Sequence, residues 1–285
     1  MRKSLFLFSI LIFTSCTKVE DVIVDGNIVP PDYTIENTTI ENYINKLYIS
    51  TIGREPTEPE FNADYDILRN SNLSLGSRET VINNILNKVE YSFNLFKLES
   101  ENILNGVDTA QINEYIEIFD FLMQTATGLD SIYILIEYDR LLEMQGILPA
   151  LINGSINNVE MHKRMVNNLF YDDINMGTEN FVVSVFQNFL GRYPSESEVE
   201  NASTIVDGGN ATLFFVAGNG KDDFIDIFFS SDEYFTGQTD VLFNRYLFRN
   251  PTSEESVNYS LDYMESEEYK DLQIRILSTN EFIGL

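Results

Sequence analysis

A short turn sequence occurs three times in this chain, and it constrains the fold more than any other feature. In each copy an Arg is followed two residues later by Pro, three residues later by Thr or Ser, and six residues later by Glu. The motif residues are Arg54, Pro56, Thr57 and Glu60 in the first copy, Arg192, Pro194, Ser195 and Glu198 in the second, and Arg249, Pro251, Thr252 and Glu255 in the third. Matched positions in three copies indicate an internal repeat.

The residue types of the motif predict how the chain turns. Proline disfavours helical dihedral angles at the residue before it, so an arriving helix has to end there. The Thr or Ser is expected to be the N-cap of the next helix, and the Glu is expected to accept a hydrogen bond from the amide of that cap residue. We expect each Arg either to bind carbonyl groups at the end of the preceding helix or to pair with the motif Glu. The functional alternative is an anion or glycan contact repeated three times.

The sequence on both sides of the motif repeats as well. An aromatic residue lies six positions before each Arg, and an amphipathic segment farther along the chain leads to Glu followed by Tyr or Phe. The aromatic residues are Tyr48, Phe186 and Phe243, and the closing pairs are Glu90-Tyr91, Glu233-Tyr234 and Glu281-Phe282. Residues Met165 to Asp173 look like another closing segment, although no Arg-x-Pro turn precedes them.

Apolar residues recur at steps of three and four over most of the chain, which is typical of amphipathic helices. Helix starts are predicted at Thr38, Asp108, Asp130 and Ser155. Thr212 to Val216 is either a short strand or an apolar loop. The sequence therefore predicts an all-α protein, an irregular helical array built from three helix-turn-helix repeats with a helical middle region. The predicted ranges are 1–15 for a signal peptide, 16–37 for a lipidated cysteine and flexible tether, 38–104 for repeat 1, 105–177 for the middle region, 178–236 for repeat 2 and 237–285 for repeat 3.

The N-terminus has the layout of a secretory signal peptide. Met1-Arg2-Lys3 is positively charged, and the apolar run from Leu5 to Phe13 is too short to cross a bilayer as a helix. Phe13-Thr14-Ser15-Cys16 resembles the bacterial lipobox, in which the cysteine becomes the lipidated first residue of the mature protein. Phe13 departs from that pattern, in which Leu is usual. The alternative is an ordinary signal peptide whose cleavage ignores Cys16.

The lipobox resemblance implies that acyl chains on Cys16 hold the protein to a lipid bilayer, and stable anchoring needs more than one chain. Thr17 follows the cysteine, where Asp would suggest retention at the inner membrane. The expected location is the outer membrane of a Gram-negative bacterium, facing the periplasm or the cell surface. Cys16 is the only cysteine, which excludes an internal disulfide framework.

The repeat resembles a second known group. The pattern Gly-Arg-x-Pro-Thr-x-x-Glu, followed by Arg, an apolar helix and Glu-Tyr, is similar to uncharacterised helical domains of exported planctomycete-type surface proteins. The first copy fits best, from Ile52 through Arg78 to Tyr91. The resemblance implies a helical scaffold and carries over no catalytic residue. Such domains often lie beside haem domains, but no Cys-x-x-Cys-His occurs here.

Charge and side-chain chemistry limit the classes of function. The formal net charge of −27 disfavours nucleic acid as a partner, because an acidic surface repels phosphate groups. His162 is the only histidine, so zinc sites with two or three histidines are excluded, and it is expected at a solvated helix position. Asp172-Asp173 and Asn219 with Asp222-Asp223 offer oxygens to calcium without EF-hand spacing. No catalytic residues, metal or cofactor are assigned.

These features predict a membrane-anchored envelope lipoprotein that is a helical scaffold or docking module for another envelope protein, without catalysis. The second interpretation is a cell-surface module that binds a glycan or a peptide. The third is a hydrolase with dispersed carboxylates. A scaffold should expose a large apolar patch, a glycan binder should have a groove lined with aromatic residues, and an enzyme should have a pocket with carboxylates of raised pKa.

Removal of the lipidation site gives the first test. The Cys16→Ser substitution is expected to abolish membrane association, because no residue is then left to carry the acyl chains. Fractionation of cells followed by immunoblotting measures the distribution. Recovery of the variant in the membrane fraction at the wild-type level would contradict the assignment.

Overall fold

We describe residues 35–285 of a computed structural model. The signal peptide (1–15), Cys16 and most of the tether (16–37) lie outside the described residues. Within that part of the chain there are sixteen helices and one two-stranded hairpin, which confirms the all-α class. None of these helices is both long and apolar enough to span a bilayer.

The elements follow one another in a simple order. They are α1 (Asn37–Ile52), α2 (Glu58–Asn70), α3 (Leu75–Leu86), α4 (Val89–Ile103), α5 (Thr109–Met123), α6 (Leu129–Gln145), α7 (Ile147–Asn153), α8 (Asn158–Val166), α9 (Leu169–Ile174), α10 (Thr178–Leu190), α11 (Glu196–Val206), β1 (Ala211–Leu213), β2 (Val216–Gly218), α12 (Lys221–Phe229), α13 (Asp232–Leu247), α14 (Ser253–Ser266), α15 (Tyr269–Leu277) and α16 (Asn280–Ile283). A single cluster of buried side chains connects the helices from α1 to α16.

Each sequence repeat forms four helices rather than three. Repeat 1 is α1 to α4, repeat 2 is α10 to α13, and repeat 3 is α13 to α16. The fourth helix of repeat 2 is also the first helix of repeat 3. The predicted boundary between residues 236 and 237 therefore falls inside α13, and these two repeats cannot be cut apart without breaking a continuous helix.

The middle region holds the remnant of another repeat. The turn from α4 to α5 has a capping box at Asp108 and Gln111, in the place of the box between α13 and α14. Asn168 caps α9 as Thr279 caps α16, and in both helices an aromatic residue follows three positions later. The closing segment predicted from Met165 to Asp173 therefore includes most of the short helix α9. Helices α6 and α7 have no counterpart in the three repeats.

The described chain thus consists of two related halves, residues 37–174 and 178–283. Each half contacts the other through residues at matching positions of the repeat. Phe282 of the second half packs edge-on against Tyr43 of α1, with ring centroids 6.0 Å apart. At the matching positions, Tyr171 of the first half packs edge-on against Phe181 of α10, at 5.6 Å. Such reciprocal contacts are the pattern expected of an internal two-fold arrangement.

A second pair of matching contacts between the two halves lies deeper in the core. Tyr91, the third residue of α4, donates a hydrogen bond to the amide oxygen of Gln273 on α15. Tyr234, the third residue of α13, lies with its hydroxyl 2.9 Å from Nδ1 of His162 on α8. His162 and Gln273 each occupy the fifth position of their helix. The two halves are therefore joined through buried polar groups as well as aromatic rings.

Three local predictions need correction or completion. Thr38 does not cap α1, because the helix begins one residue earlier and Glu36 is in the N-cap position. Ser155 does not begin a helix, since Asn157 is the N-cap of α8. The segment from Thr212 to Val216 contains parts of two strands, paired antiparallel around Phe214 and Phe215. Both phenylalanines have positive φ angles, 48° and 66°, which the tight turn between the strands requires.

Close approach of α10 and α13 depends on a glycine. A Cβ atom placed on Gly237 would lie 2.3 Å from the carbonyl oxygen of Phe189, and both of these groups belong to helix backbones. The Gly237→Ala substitution is expected to lower the free energy of unfolding by about 1–3 kcal/mol, because the two helices have to separate. Urea denaturation followed by circular dichroism measures the change.

Gly76 provides the matched control. It lies in α3 and a Cβ atom there meets nothing within 4 Å. The Gly76→Ala substitution should raise stability by roughly 0.5–1 kcal/mol through helix propensity alone. Equal effects of the two substitutions would show that the contact between α10 and α13 does not depend on the missing side chain.

Candidate functional site

The repeated turn has the geometry that the sequence predicts. Thr57, Ser195 and Thr252 are the N-caps of α2, α11 and α14, and each forms a reciprocal capping box with the Glu three residues later. The carboxylate oxygens of these Glu residues lie 2.7–2.8 Å from the amide nitrogen of the cap residue. The placement of the second helix in each repeat is therefore fixed by the motif itself.

Each motif arginine pairs with the motif glutamate through two parallel hydrogen bonds. Arg54 binds Glu60 at 2.8 and 2.9 Å, and Arg249 binds Glu255 at 2.8 and 2.7 Å. Arg192 binds Glu198 in the same way. One N–H of each guanidinium also donates to the backbone carbonyl of the next residue. The expected pairing with the motif Glu is confirmed.

A second glutamate completes each cluster, and sequence reasoning did not connect it to the arginine. It is the Glu of the closing pair, and it occupies the second position of the fourth helix of each repeat, which is α4, α13 or α16. The contacts are Arg54 to Glu90 at 3.1 Å, Arg192 to Glu233 at 3.1 Å, and Arg249 to Glu281 at 2.6 Å. The signal that could have found it is the recurrence of this Glu after every Arg-x-Pro turn.

The electrostatics of these clusters favour the charged forms of the three arginines and of the three motif glutamates. The hydrogen bonds from Arg192 and Arg249 lower the pKa of Glu198 and of Glu255 to about 2. Hydrogen bonds to the paired glutamates raise the pKa of each arginine. Arg192 and Arg249 use all five N–H donors within the protein. Donors that are already satisfied give an added anion little to bind, so the geometry favours a structural role.

His162 is not at a solvated position, and that prediction was wrong. Only 1% of the residue is exposed, and its ring lies between Tyr234 and Glu99. Nε2 of His162 is 3.6 Å from a carboxylate oxygen of Glu99, whose other oxygen is 3.4 Å from Nη2 of Arg245. Burial alone would raise the pKa of Glu99, but His162 and Arg245 outweigh it and the net shift is downward. The group links α4, α8 and α13.

The acidic residues considered for calcium are used elsewhere. Asp172 accepts hydrogen bonds from the Lys221 ammonium group at 2.6 and 2.8 Å. Asp223 accepts the backbone N–H of Asn219 and so stabilises the start of α12. Between residues 35 and 285, no group of three or more potential ligands comes together to hold a metal ion.

The largest concentration of exposed apolar side chains lies on α5 and α6, which form a helical hairpin. We call residues 109–145 the α5–α6 hairpin. Nine of the 23 exposed large apolar residues of the described chain belong to it, namely Ile118, Phe121, Leu122, Leu129, Ile132, Tyr133, Leu135, Ile136 and Leu142. The buried residues are Ile112 at the start of α5 and Glu137, Leu141 and Met144 near the end of α6. The hairpin is thus anchored at its base and uncovered toward its tip.

The exposed apolar residues of the hairpin are arranged regularly. Leu129, Ile132, Tyr133 and Ile136 lie at positions i, i+3, i+4 and i+7, so they form a stripe on one face of α6. The same spacing relates Ile118 to the exposed residues at the end of α5. Isolated exposed apolar residues are normal in proteins, but a continuous stripe usually marks a contact surface.

Comparison of the chain with known protein families, with curated proteins and with solved structures gives no match. The function therefore has to be inferred from the geometry of the described residues. Three features carry chemistry: the three Arg–Glu–Glu clusters, the buried His162 group and the α5–α6 hairpin. The donors of Arg192 and Arg249 are satisfied within the protein. Nε2 of His162 is buried without a hydrogen-bond partner among the described residues, and the hairpin leaves a stripe of apolar side chains uncovered.

Truncation of the motif tests its structural role. The Arg54→Ala substitution is expected to lower the free energy of unfolding by about 1–2 kcal/mol, because Glu90 loses its counter-ion and Glu60 keeps only Lys88. Thr57→Ala is expected to cost about 1 kcal/mol through loss of the cap. Pro56→Ala should be mild, since the capping box stays in place. Thermal denaturation of the three variants gives the comparison, and unchanged melting of both Arg54→Ala and Thr57→Ala would contradict the structural role.

Proposed function

We propose that the protein is an envelope lipoprotein whose helical repeats form a rigid body and whose α5–α6 hairpin docks onto another envelope protein. The observation that carries the proposal is the unpartnered apolar stripe on that hairpin. The repeats supply stiffness, since the turns between their helices are fixed by capping boxes and by paired charges. The lipid on Cys16 would keep the body at the membrane.

The energetics favour a protein partner for the hairpin. Leu129 is 83% exposed, and Phe121 and Tyr133 are each more than half exposed. Transfer of such a side chain from water into an interface contributes roughly 1.5–3 kcal/mol. A few central apolar residues supply most of the affinity of a typical interface, and aromatic residues are prominent among them. The stripe is therefore sufficient for a specific complex.

The charges on the hairpin define what the partner should offer. Residues 109–145 contain seven acidic residues and one arginine. Six of the acidic residues are exposed, namely Glu114, Glu117, Asp120, Asp130, Asp139 and Glu143. Arg140 is engaged with Glu137 and with Asp222. The complementary surface is an apolar patch bordered by Lys and Arg, whereas an anionic membrane surface would repel this hairpin.

Crosslinking in intact cells tests the proposal. A photoreactive amino acid at position 132 is expected to give one defined protein adduct. A photoreactive amino acid at position 75, where Leu75 is also exposed but lies on α3, should not give that adduct. The captured protein should then bind the purified lipoprotein, and the affinity should fall as the salt concentration rises.

A matched variant completes this experiment. Combined replacement of Phe121, Ile132 and Tyr133 by Ser is expected to weaken binding of the captured protein at least about tenfold and to leave the melting temperature nearly unchanged, since all three are exposed. Adducts only with lipid, only with a second copy of this chain, or equally strong from position 75 would each contradict docking to another envelope protein through this hairpin.

A further inference from the structure

The α5–α6 hairpin stands apart because α5 does not pack as its counterpart in the second half does. Helix α14 follows the capping box at Thr252 and packs along α13. Helix α5 follows the matching box at Asp108, but it packs along α6 instead. Helix α7, which has no counterpart in the repeats, contacts α4 and α8. The hairpin therefore has a packing environment of its own.

Comparison of α5 with α14 shows that the exposed apolar residues are particular to the hairpin. The tenth, thirteenth and fourteenth residues after the cap are exposed in both helices, but they are polar in α14 and apolar in α5. They are Asp262, Glu265 and Ser266 in α14, and Ile118, Phe121 and Leu122 in α5. Because water favours polar residues at these positions of the repeat, the apolar ones on α5 indicate a surface that a partner covers.

The exposed apolar surface of α6 is wider than one stripe. Consecutive residues of an α-helix differ in direction by about 100°, so Tyr133 and Leu135 point in directions about 160° apart. They are 62% and 48% exposed, and Ile132 and Ile136 are exposed on the arc between them. A flat surface placed against one of these sides leaves the other in water. Complete burial requires a partner that contacts α6 from two sides.

The charges of the hairpin are separated from its apolar residues. Eight of its nine exposed large apolar residues lie between positions 118 and 136, which we call the tip. Asp120 and Asp130 are the charged residues of the tip. Nearer the base, four exposed acidic residues form what we call the acidic collar, namely Glu114, Glu117, Asp139 and Glu143. The complementary shape is a cleft with apolar walls and basic groups at its mouth.

A protein cleft suits the tip better than a lipid bilayer does. A bilayer would also surround the tip, but Asp120 and Asp130 are exposed and would enter the hydrocarbon region without partners, which is costly. The acidic collar would then face the headgroups, where anionic lipids repel it. A protein can place Lys or Arg side chains against the same carboxylates.

We propose that the tip of the α5–α6 hairpin inserts into a cleft of the partner protein, whose walls contact α6 on two opposite sides. The inference rests on the proposed docking function and adds the shape and chemistry of the partner's site. Insertion buries the exposed apolar residues of both helices at the tip, whereas docking through one face buries only part of them.

Photoreactive amino acids at positions 133 and 135 test insertion in intact cells. Both are expected to give the same protein adduct as position 132, because their side chains would contact opposite walls of the cleft. Position 257 is the control, since Val257 is 54% exposed but lies on α14, and it should not give that adduct. An adduct from position 133 without one from position 135, or the reverse, would overturn insertion and leave docking through the hairpin standing.

Two substitutions test the same point with the purified partner. Tyr133→Arg and Leu135→Arg are each expected to weaken binding at least about tenfold, because each would bury a charge against an apolar wall. Val257→Arg also adds one positive charge at an exposed apolar position and should change the affinity less than about twofold. The melting temperatures of the three variants should stay near that of the wild type. Weaker binding in only one of the two hairpin variants would contradict contact on both sides.

The other crosslinking outcomes separate the possible partners. Absence of any adduct from positions 132, 133 and 135 would overturn docking and insertion together. Lipid adducts from positions 133 and 135 without a protein adduct would show that the tip enters the bilayer, and would overturn the protein cleft. Adducts only with a second copy of this chain would overturn it as well.

Discussion

The helical array depends on one repeated interaction, the contact of an arginine with two carboxylates from two different helices. In the third copy Arg249 holds Glu255 of α14 and Glu281 of α16 with four charge-assisted hydrogen bonds. Such bonds are shorter and stronger than neutral ones, and the planar guanidinium fixes their direction. The aromatic residue six positions earlier lies under the guanidinium, with Phe243 at 5.3 Å. The turn, the second helix and the fourth helix are thereby held in one geometry.

Repetition of this four-helix unit explains how the helices of the described chain are arranged. The fourth helix of one repeat becomes the first helix of the next at α13, so adjacent repeats share a core instead of meeting at a surface. The reciprocal packing of Phe282 on Tyr43 and of Tyr171 on Phe181 then joins the first and second halves. Each half completes the other, which is why residues 35–285 form one compact unit.

The proposed docking surface lies where the repeat is broken. The α5–α6 hairpin includes a helix without a counterpart in the second half, and its apolar stripe has no neighbouring repeat to cover it. A repeat that served packing alone would cover this stripe, since exposed apolar patches reduce solubility.

The sequence alone determined the all-α class and the three capped turns, because a proline, a cap hydroxyl and a glutamate within seven residues act on their own backbone. It did not determine which groups meet across the chain. Glu90 was visible in the closing pair, but its contact with Arg54 spans 36 residues. His162 was expected in water because its neighbours are polar, whereas packing of α8 against α4 and α13 buries it. Burial and long-range pairing depend on how helices stack, and only the tertiary structure decides that.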